Sequence, residues 1–164
     1  SAVKHLVDSK CKRIAYINGP KSHAVTKDRY NGYLVGIKEA GLTTDQRFIY
    51  NGDFSLECGR AAVEAFLNQK VKPDAIVSAT DVMAIGAMNE LTHRSIRVPE
   101  DIRIIGFDNI PLAQLVRPAL TTVAQPILEL GENAAELLLK KIENPDTPNR
   151  QVVMQCSLIK RESA

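Results

Sequence analysis

Polar residues that could bind a ligand follow each of four apolar runs in the sequence. The fourth run, RIIGFDN (103–109), ends in Asp108 and Asn109. A carboxylate at the end of a buried strand is costly unless another group pairs with it, so Asp108 is expected to face a partner. The other runs end in similar chemistry, with the segment NGPKSH (18–23), with Asp53, and with the pair Thr80 and Asp81.

Arg29 is the most suitable partner for Asp108. It lies one turn into the predicted helix that follows the loop GPKSHAVTKD (19–28). An Arg fork that faces a carboxylate can bind a polyhydroxylated or heteroaromatic molecule, and Phe54 would supply an apolar face. His23 lies in the same loop and is a further candidate. These residue types predict a binding site rather than a catalytic one.

Each of these residues also has a purely structural explanation. Asp81 is expected to be the N-cap of a helix, because an Asp side chain in that position satisfies free backbone amides. Asp53 is expected to be a turn residue. The other structural alternatives are a surface ion pair with Asp28 or Glu39 for Arg29, loop packing for Phe54 and a simple strand end for Thr80.

An enzyme is a weaker interpretation of the same residues. Asp53, Asp81 and Asp108 follow three of the runs and could hold magnesium for phosphoryl transfer. That chemistry needs an acidic pair beside such a strand end or a phosphate loop of the form GxxxxGK[ST], and the sequence has neither. A GxSxG nucleophile motif and a CxxC zinc motif are also absent. The sequence therefore predicts no enzyme activity, no metal and no cofactor.

Two hydrophobic periodicities alternate along the chain. Short runs rich in β-branched residues at 13–19, 47–53, 74–81 and 103–109 predict strands, and helical stripes lie between them. Successive strand-helix units of about 30 residues are typical of an α/β fold with a doubly wound parallel sheet. In such sheets ligands bind beyond the carboxyl ends of the strands, which is where the polar residues fall.

Local signals predict the ends of helices and two further elements. Gly41, with Leu42 placed to contact Ile37, predicts a Schellman stop for the first helix. Ser55 is expected to cap the next helix. A long amphipathic helix is predicted over 127–144. Alternating apolar residues near the end of the chain predict a half-buried edge strand through Val152, Met154, Cys156 and Leu158.

Composition limits the possible functions. Of the 164 residues, 45% are hydrophobic and 24% are charged, as in an ordinary soluble domain. No apolar run is long enough to span a membrane. The net charge of +2 comes without a Lys/Arg block, so these residues are not expected to bind DNA themselves. The three cysteines are expected to be inert thiols in a reducing compartment, which predicts a cytoplasmic protein.

Several motifs together resemble one family. DVMAIGAM (81–88), RVPEDIRIIGFDN (97–109) and RPALTTVAQP (117–126) look like the effector-binding core of the lactose-repressor/galactose-repressor family of bacterial transcription regulators. The resemblance runs through nearly the whole chain, from KHLVDSKCKRIAYINGP (4–20) onward. It implies a periplasmic-binding-protein-like lobe that senses a small-molecule effector, such as a sugar or nucleobase. It also implies that DNA is bound only through a headpiece outside this chain.

The resemblance implies roles for individual residues as well. Arg29 and Asp108 match the family's most regular ligand contacts. Phe54 matches a position that often stacks against the ligand. Thr80 matches a position that often hydrogen-bonds it, although sugar-responsive members often carry a longer polar residue there. The remaining matches are Gln125, where the chain crosses between two lobes, and His23 and Val25, whose positions vary with the effector.

By the same resemblance, residues 1–125 and 150–164 form the C-terminal lobe of an effector-binding domain. The helix in 126–149 would belong to an N-terminal lobe that this chain lacks, so the sequence is expected to be a piece of a longer repressor core. A periplasmic sugar-binding protein of a transporter, which shares the fold, is the alternative. The family also implies a homodimer, with no membrane partner, whose interface includes Leu112, Leu115 and Val116.

Overall fold

A six-stranded sheet organises the computed structural model, which describes residues 1–164. The strands are β1 (Ile14–Asn18), β2 (Ile49–Asn51), β3 (Ala75–Ser78), β4 (Arg103–Asp108), β5 (Thr121–Ala124) and β6 (Ser157–Ile159). Their spatial order is β2-β1-β3-β4-β5-β6. The first five strands are parallel, and β6 is antiparallel to β5. The carboxyl ends of β1 to β5 therefore share one edge of the sheet.

The chain also forms five α-helices: α1 (Ala2–Asp8), α2 (Ala24–Glu39), α3 (Leu56–Leu67), α4 (Asp81–His93) and α5 (Ile127–Glu143). The connection from β1 to β2 runs in one direction across the sheet, and the connections to β3 and β4 run in the other. Since such crossovers are right-handed, α2 lies on one face while α3 and α4 lie on the opposite face. Helix α1 contacts α2. This arrangement confirms the predicted α/β class with a doubly wound sheet.

The central strands are buried on both faces. Every residue of β1 and of β3 is buried, which explains why their sequences are continuous apolar runs rather than alternating ones. Helix α3 approaches α4 to backbone contact on one of these faces, because Gly59 lies against the carbonyl of Met83 and Gly86 lies against the carbonyl of Leu56. A Cβ atom at either glycine would overlap the neighbouring backbone.

The predicted helix ends are confirmed where the signal is local. Ser55 caps α3, and its hydroxyl accepts a hydrogen bond from the backbone N–H of Cys58 at 3.0 Å. Gly41 has a positive φ of 67°, and Leu42 N–H donates to the Ile37 carbonyl at 3.0 Å. This is the hydrogen bond that closes a Schellman motif.

Two elements differ from the prediction. β5 was not predicted, since its four residues are flanked closely by Pro118 and Pro126. The edge strand near the end of the chain forms only at Ser157–Ile159, where β5 offers a free edge for pairing. Val153 is 83% exposed, so the alternation that starts at Val152 does not bury one face. Cys156 is exposed as well, whereas Cys11 and Cys58 are buried.

Helix α5 forms as predicted but contributes no buried residue. The hydrophobic core is supplied by the sheet and by α1 to α4. No helix in the chain has both the length and the apolar character needed to cross a membrane. The apolar side chains of α5 that stay exposed are Ile127, Leu128, Leu130, Leu138, Leu139 and Ile142.

Candidate ligand-binding site

The six residues predicted to bind a ligand all lie at the carboxyl edge of the sheet. This position follows from the topology, because β1 to β5 run in the same direction. That these six residues contact a ligand stays a prediction. His23 precedes α2, Arg29 lies in α2, Phe54 follows β2, Thr80 precedes α4, Asp108 ends β4 and Gln125 follows β5.

Arg29 and Asp108 form an ion pair in the middle of this edge. An Nη atom of Arg29 donates to Oδ1 of Asp108 at 2.8 Å. The other Nη atom donates to the carbonyl of Ala79, at the end of β3. The guanidinium carbon also lies 3.9 Å from the centroid of the Phe107 ring, a cation–π geometry. The alternative of a surface ion pair with Asp28 or Glu39 is therefore wrong.

Gln125 donates a second hydrogen bond to the same oxygen of Asp108. Its Nε2 atom lies 2.8 Å from Oδ1, so this oxygen has two protein donors. The other carboxylate oxygen accepts no hydrogen bond from the protein. The Asp108 side chain is 28% exposed. A carboxylate held in this way can accept a hydrogen bond from a hydroxyl or an N–H of a ligand.

His23 and Phe54 form an aromatic corner at the same edge of the sheet as the ion pair. Their ring centroids are 5.6 Å apart and the rings meet edge to face at 81°. The Phe54 ring lies against the backbone of Gly19, where a Cβ atom would overlap it. Ser22 Oγ lies 3.2 Å from Nδ1 of His23. The corner offers an apolar surface and an exposed imidazole to a molecule above the sheet edge.

Thr80, and not Asp81, is the N-cap of α4. The Thr80 hydroxyl accepts a hydrogen bond from the backbone N–H of Met83 at 3.3 Å. A hydroxyl that accepts one bond still has its own O–H to donate, so this role is compatible with contact to a ligand. The prediction that Asp81 is the N-cap is wrong, because the adjacent Thr80 occupies that position.

Asp81 is fully buried and bonds to residues that are distant in sequence. Oδ2 accepts a hydrogen bond from the backbone N–H of Ile110 at 2.9 Å. Oδ1 accepts a hydrogen bond from the hydroxyl of Thr122. Burial raises the pKa of the Asp81 carboxyl, and the bonds from Thr122 and Ile110 act in the opposite direction.

Asp53 is a turn residue, as expected. Its Oδ1 accepts hydrogen bonds from the backbone N–H of Ser55 at 3.0 Å and from the Ser55 hydroxyl. The Ser55 side chain, followed by its backbone N–H, lowers the pKa of the Asp53 carboxyl. No group of three or more His, Cys, Asp and Glu side chains is arranged to hold a metal ion.

The predicted interface residues lie after β4, next to this edge. Leu112 belongs to a 3-10 turn at Pro111–Gln114 and is 46% exposed, and Leu115 is 66% exposed. Val116 is half-buried and packs against the core. Two large apolar side chains are thus open on the surface a few residues from Asp108. Their part in a dimer stays a prediction.

Sequence reasoning missed the contribution of Phe107, whereas Asn18 and Asn109 stand at strand ends that it had selected. Phe107 supports the guanidinium of Arg29. Asn18, at the end of β1, donates to Oδ1 of Asn51 at 3.0 Å, and its own Oδ1 is buried without a partner. The segment NGPKSH (18–23), selected because its polar residues follow a strand, includes Asn18. No sequence pattern indicates the contact of Phe107.

Comparison with known proteins places the chain among bacterial regulators. A family model described as a periplasmic binding protein-like domain matches residues 3–164. The HTH-type transcriptional repressor CytR of Escherichia coli (strain K12) is 38% identical over 162 residues, 99% of this chain and 48% of that protein. The ribose operon repressor of Haemophilus influenzae is 33% identical over 162 residues, 99% of this chain and 49% of that protein. The chain spans about half the length of the curated relatives it matches.

Solved structures give the same result. A regulatory protein of the LacI family from Chloroflexus aggregans superposes with a TM-score of 0.94 at 36% identity, over 99% of this chain and 58% of that one. A complex of the transcriptional regulator CelR with cellobiose superposes with a TM-score of 0.93 at 31% identity, over 99% of this chain and 50% of that one. These relatives are named as transcriptional repressors and regulators rather than as enzymes. The chain therefore belongs to the periplasmic binding protein-like domain family, in the form found in the effector-binding cores of LacI-family transcriptional regulators.

Proposed function

We propose that this chain is the effector-sensing part of a DNA-binding transcriptional repressor, and that the carboxyl edge of its sheet binds a small polar metabolite. The ion pair between Arg29 and Asp108 carries the proposal, because it fixes a carboxylate with one oxygen left for a ligand. The aromatic corner of His23 and Phe54 suits the ring of a nucleobase or the apolar face of a sugar. The relatives are repressors, which favours a regulator over a periplasmic transport protein.

In the complete protein, a second lobe would cover α5. Helix α5 carries six exposed large apolar side chains and buries none. A face of this kind is stable in water only when another element covers it. Residues 126–149 would thus pack on the second lobe, and residues 1–125 with 150–164 would form the lobe that contains Arg29 and Asp108. The effector would bind between the lobes.

DNA would be bound by a separate headpiece in the complete protein. The relative CytR is named as an HTH-type repressor, and these 164 residues carry a net charge of only +2. A repressor of this kind acts on the chromosome, so we expect it in the cytoplasm.

Calorimetric titration with a panel of sugars, nucleosides and nucleobases tests the proposed site. We expect at least one compound to bind, and we expect Asp108→Asn and Arg29→Met to weaken its affinity by about tenfold or more. The matched controls are Asp101→Asn and Arg47→Ala, which remove similar groups away from the carboxyl edge and should leave the affinity unchanged. Equal weakening by the control variants would contradict the site.

Sedimentation measurements test the homodimer. We expect the chain to form a dimer through the surface that includes Leu112, Leu115 and Val116, since two of these side chains are exposed. Leu115→Glu places a charge in that surface and should shift the population to monomer. The control is Val35→Glu, which alters an equally apolar exposed residue on α2. A wild-type chain that stays monomeric at high concentration would contradict the dimer.

A further inference from the structure

The carboxylate of Asp81 tethers the loop that carries the Asp108 side chain. It is fully buried and lies outside the proposed ligand contacts. Through Oδ2 it holds the backbone N–H of Ile110, two residues after Asp108, and through Oδ1 it holds the hydroxyl of Thr122 on β5. One side chain on α4 thus links the end of β4 to the neighbouring strand.

The loop needs such a tether because its backbone is strained. Asp108 has φ of 111°, which residues other than glycine adopt only when their surroundings hold them there, and Asn109 has φ of 55°, a left-handed conformation that Asn adopts more readily than most residues. Two further contacts hold the bend. The Asn109 N–H donates to Thr122 Oγ1 at 3.3 Å, and Arg161 donates to Oδ1 of Asn109 at 2.7 Å.

Helix capping does not explain a buried carboxylate at this position. Thr80 already caps α4, and an Asp in the first turn interacts favourably with the helix dipole from an exposed position. Burial is unfavourable for the charged form, as the raised pKa of Asp81 reflects. Gly106 on β4 lies directly against Oδ1 of Asp81, and a Cβ atom there would overlap it. Because Gly106 has no side chain, the Asp81 carboxylate has room to lie beside the loop.

We propose that Asp81 is a positioning residue of the effector site, which holds the bend at residues 108–110 so that Asp108 meets Arg29 and keeps one oxygen free for the effector. This role rests on the proposed function, in which Asp108 contacts the effector. Its contacts can nevertheless be measured without any ligand, so its test does not depend on finding the effector.

The test is nitrogen NMR of the Arg29 guanidinium in the ligand-free 164-residue chain. Arg29 donates to Asp108 and to Ala79, and we expect these bonds to hinder rotation about its Cζ–Nη bonds and to give separate Nη signals in the wild type. In Asp81→Ala we expect that rotation to become faster by about tenfold or more, the change that corresponds to the loss of one hydrogen bond to a charged group. Unchanged rotation in this variant would overturn the proposal.

Two variants separate positioning from general stability. In Asp81→Asn the amide oxygen can still accept from the Ile110 N–H and the amide NH2 can donate to the Thr122 hydroxyl. The rate of rotation of the Arg29 guanidinium should therefore stay close to that of the wild type. Leu91→Ala leaves a cavity ten positions further along the same helix, at the other edge of the sheet, and should leave the Arg29 signals unchanged. Loss of the separate signals in Leu91→Ala would overturn the proposal, since any destabilisation would then have the same effect.

Thr122→Val keeps the proposal testable if Asp81→Ala does not fold. Valine has the shape of threonine but lacks the hydroxyl that bonds both Asp81 and Asn109. We expect faster rotation of the Arg29 guanidinium in this variant as well. Separate Nη signals that persist as in the wild type would contradict the tether.

Discussion

Replacing Arg29 by Met is expected to lower the free energy of unfolding by about 2 kcal/mol. The Arg29 side chain is 13% exposed and that of Asp108 is 28% exposed. Removing one partner of a fully buried pair costs about 3–5 kcal/mol, whereas an exposed pair contributes about 0–1 kcal/mol. This pair lies between those limits. Met keeps an unbranched side chain beside Phe107, so most of the loss comes from the hydrogen bonds to Asp108 and Ala79.

A double-mutant cycle measures the pair itself. Urea unfolding of the wild type, Arg29→Met, Asp108→Asn and the double variant should give a coupling free energy of about 1–2 kcal/mol. The exposed pair of Lys4 and Asp8 serves as a control cycle and should show a smaller coupling. If the effects of Arg29→Met and Asp108→Asn add to within about 0.5 kcal/mol, the ion pair does not exist in solution and the site as described is wrong.

Three further predictions concern the rest of the chain. Hydrogen bonds from Arg97 lower the pKa of Asp101 to about 2. The stability that these bonds contribute is therefore present above the unfolded pKa of about 3.9 and is lost as the pH falls toward 2. In Arg97→Ala, the pKa of Asp101 should rise, which an NMR titration of its carboxyl carbon would measure. Gly59→Ala should destabilise the chain to urea by about 1–3 kcal/mol, whereas Gly32→Ala, with open space around it, should stabilise it by up to about 1 kcal/mol. Leu139→Ala should change the free energy of unfolding by less than about 0.5 kcal/mol, because this residue of α5 is exposed.

The sequence predicted those features that depend on local pattern or on the direction of the strands. Ser55 and Gly41 carry their own signals, and both act as predicted. The meeting of Arg29 with Asp108, 79 positions apart, followed from a topological rule, because parallel strands bring their carboxyl ends to one edge. The family resemblance was confirmed over residues 3–164.

The sequence-based predictions were wrong where contacts with residues distant in sequence decide between local patterns that look equally good. Thr80 and Asp81 are both good N-cap residues, and Asp81 takes another role because Ile110 and Thr122 approach it from 29 and 41 positions away. β5 was missed because its four residues are flanked closely by Pro118 and Pro126. Val152 shows the opposite error, since an alternating pattern forms no strand where no neighbouring strand is available for pairing.

The central claim is that a small metabolite binds at the carboxyl edge of the sheet, against the Arg29–Asp108 pair. The most direct test is an amide chemical-shift map of the chain, titrated with a compound that binds in calorimetry. We predict that the largest shifts occur in the loops that contain His23, Phe54 and Asp108. Shifts confined to the opposite edge, around residues 97–101, would contradict the account.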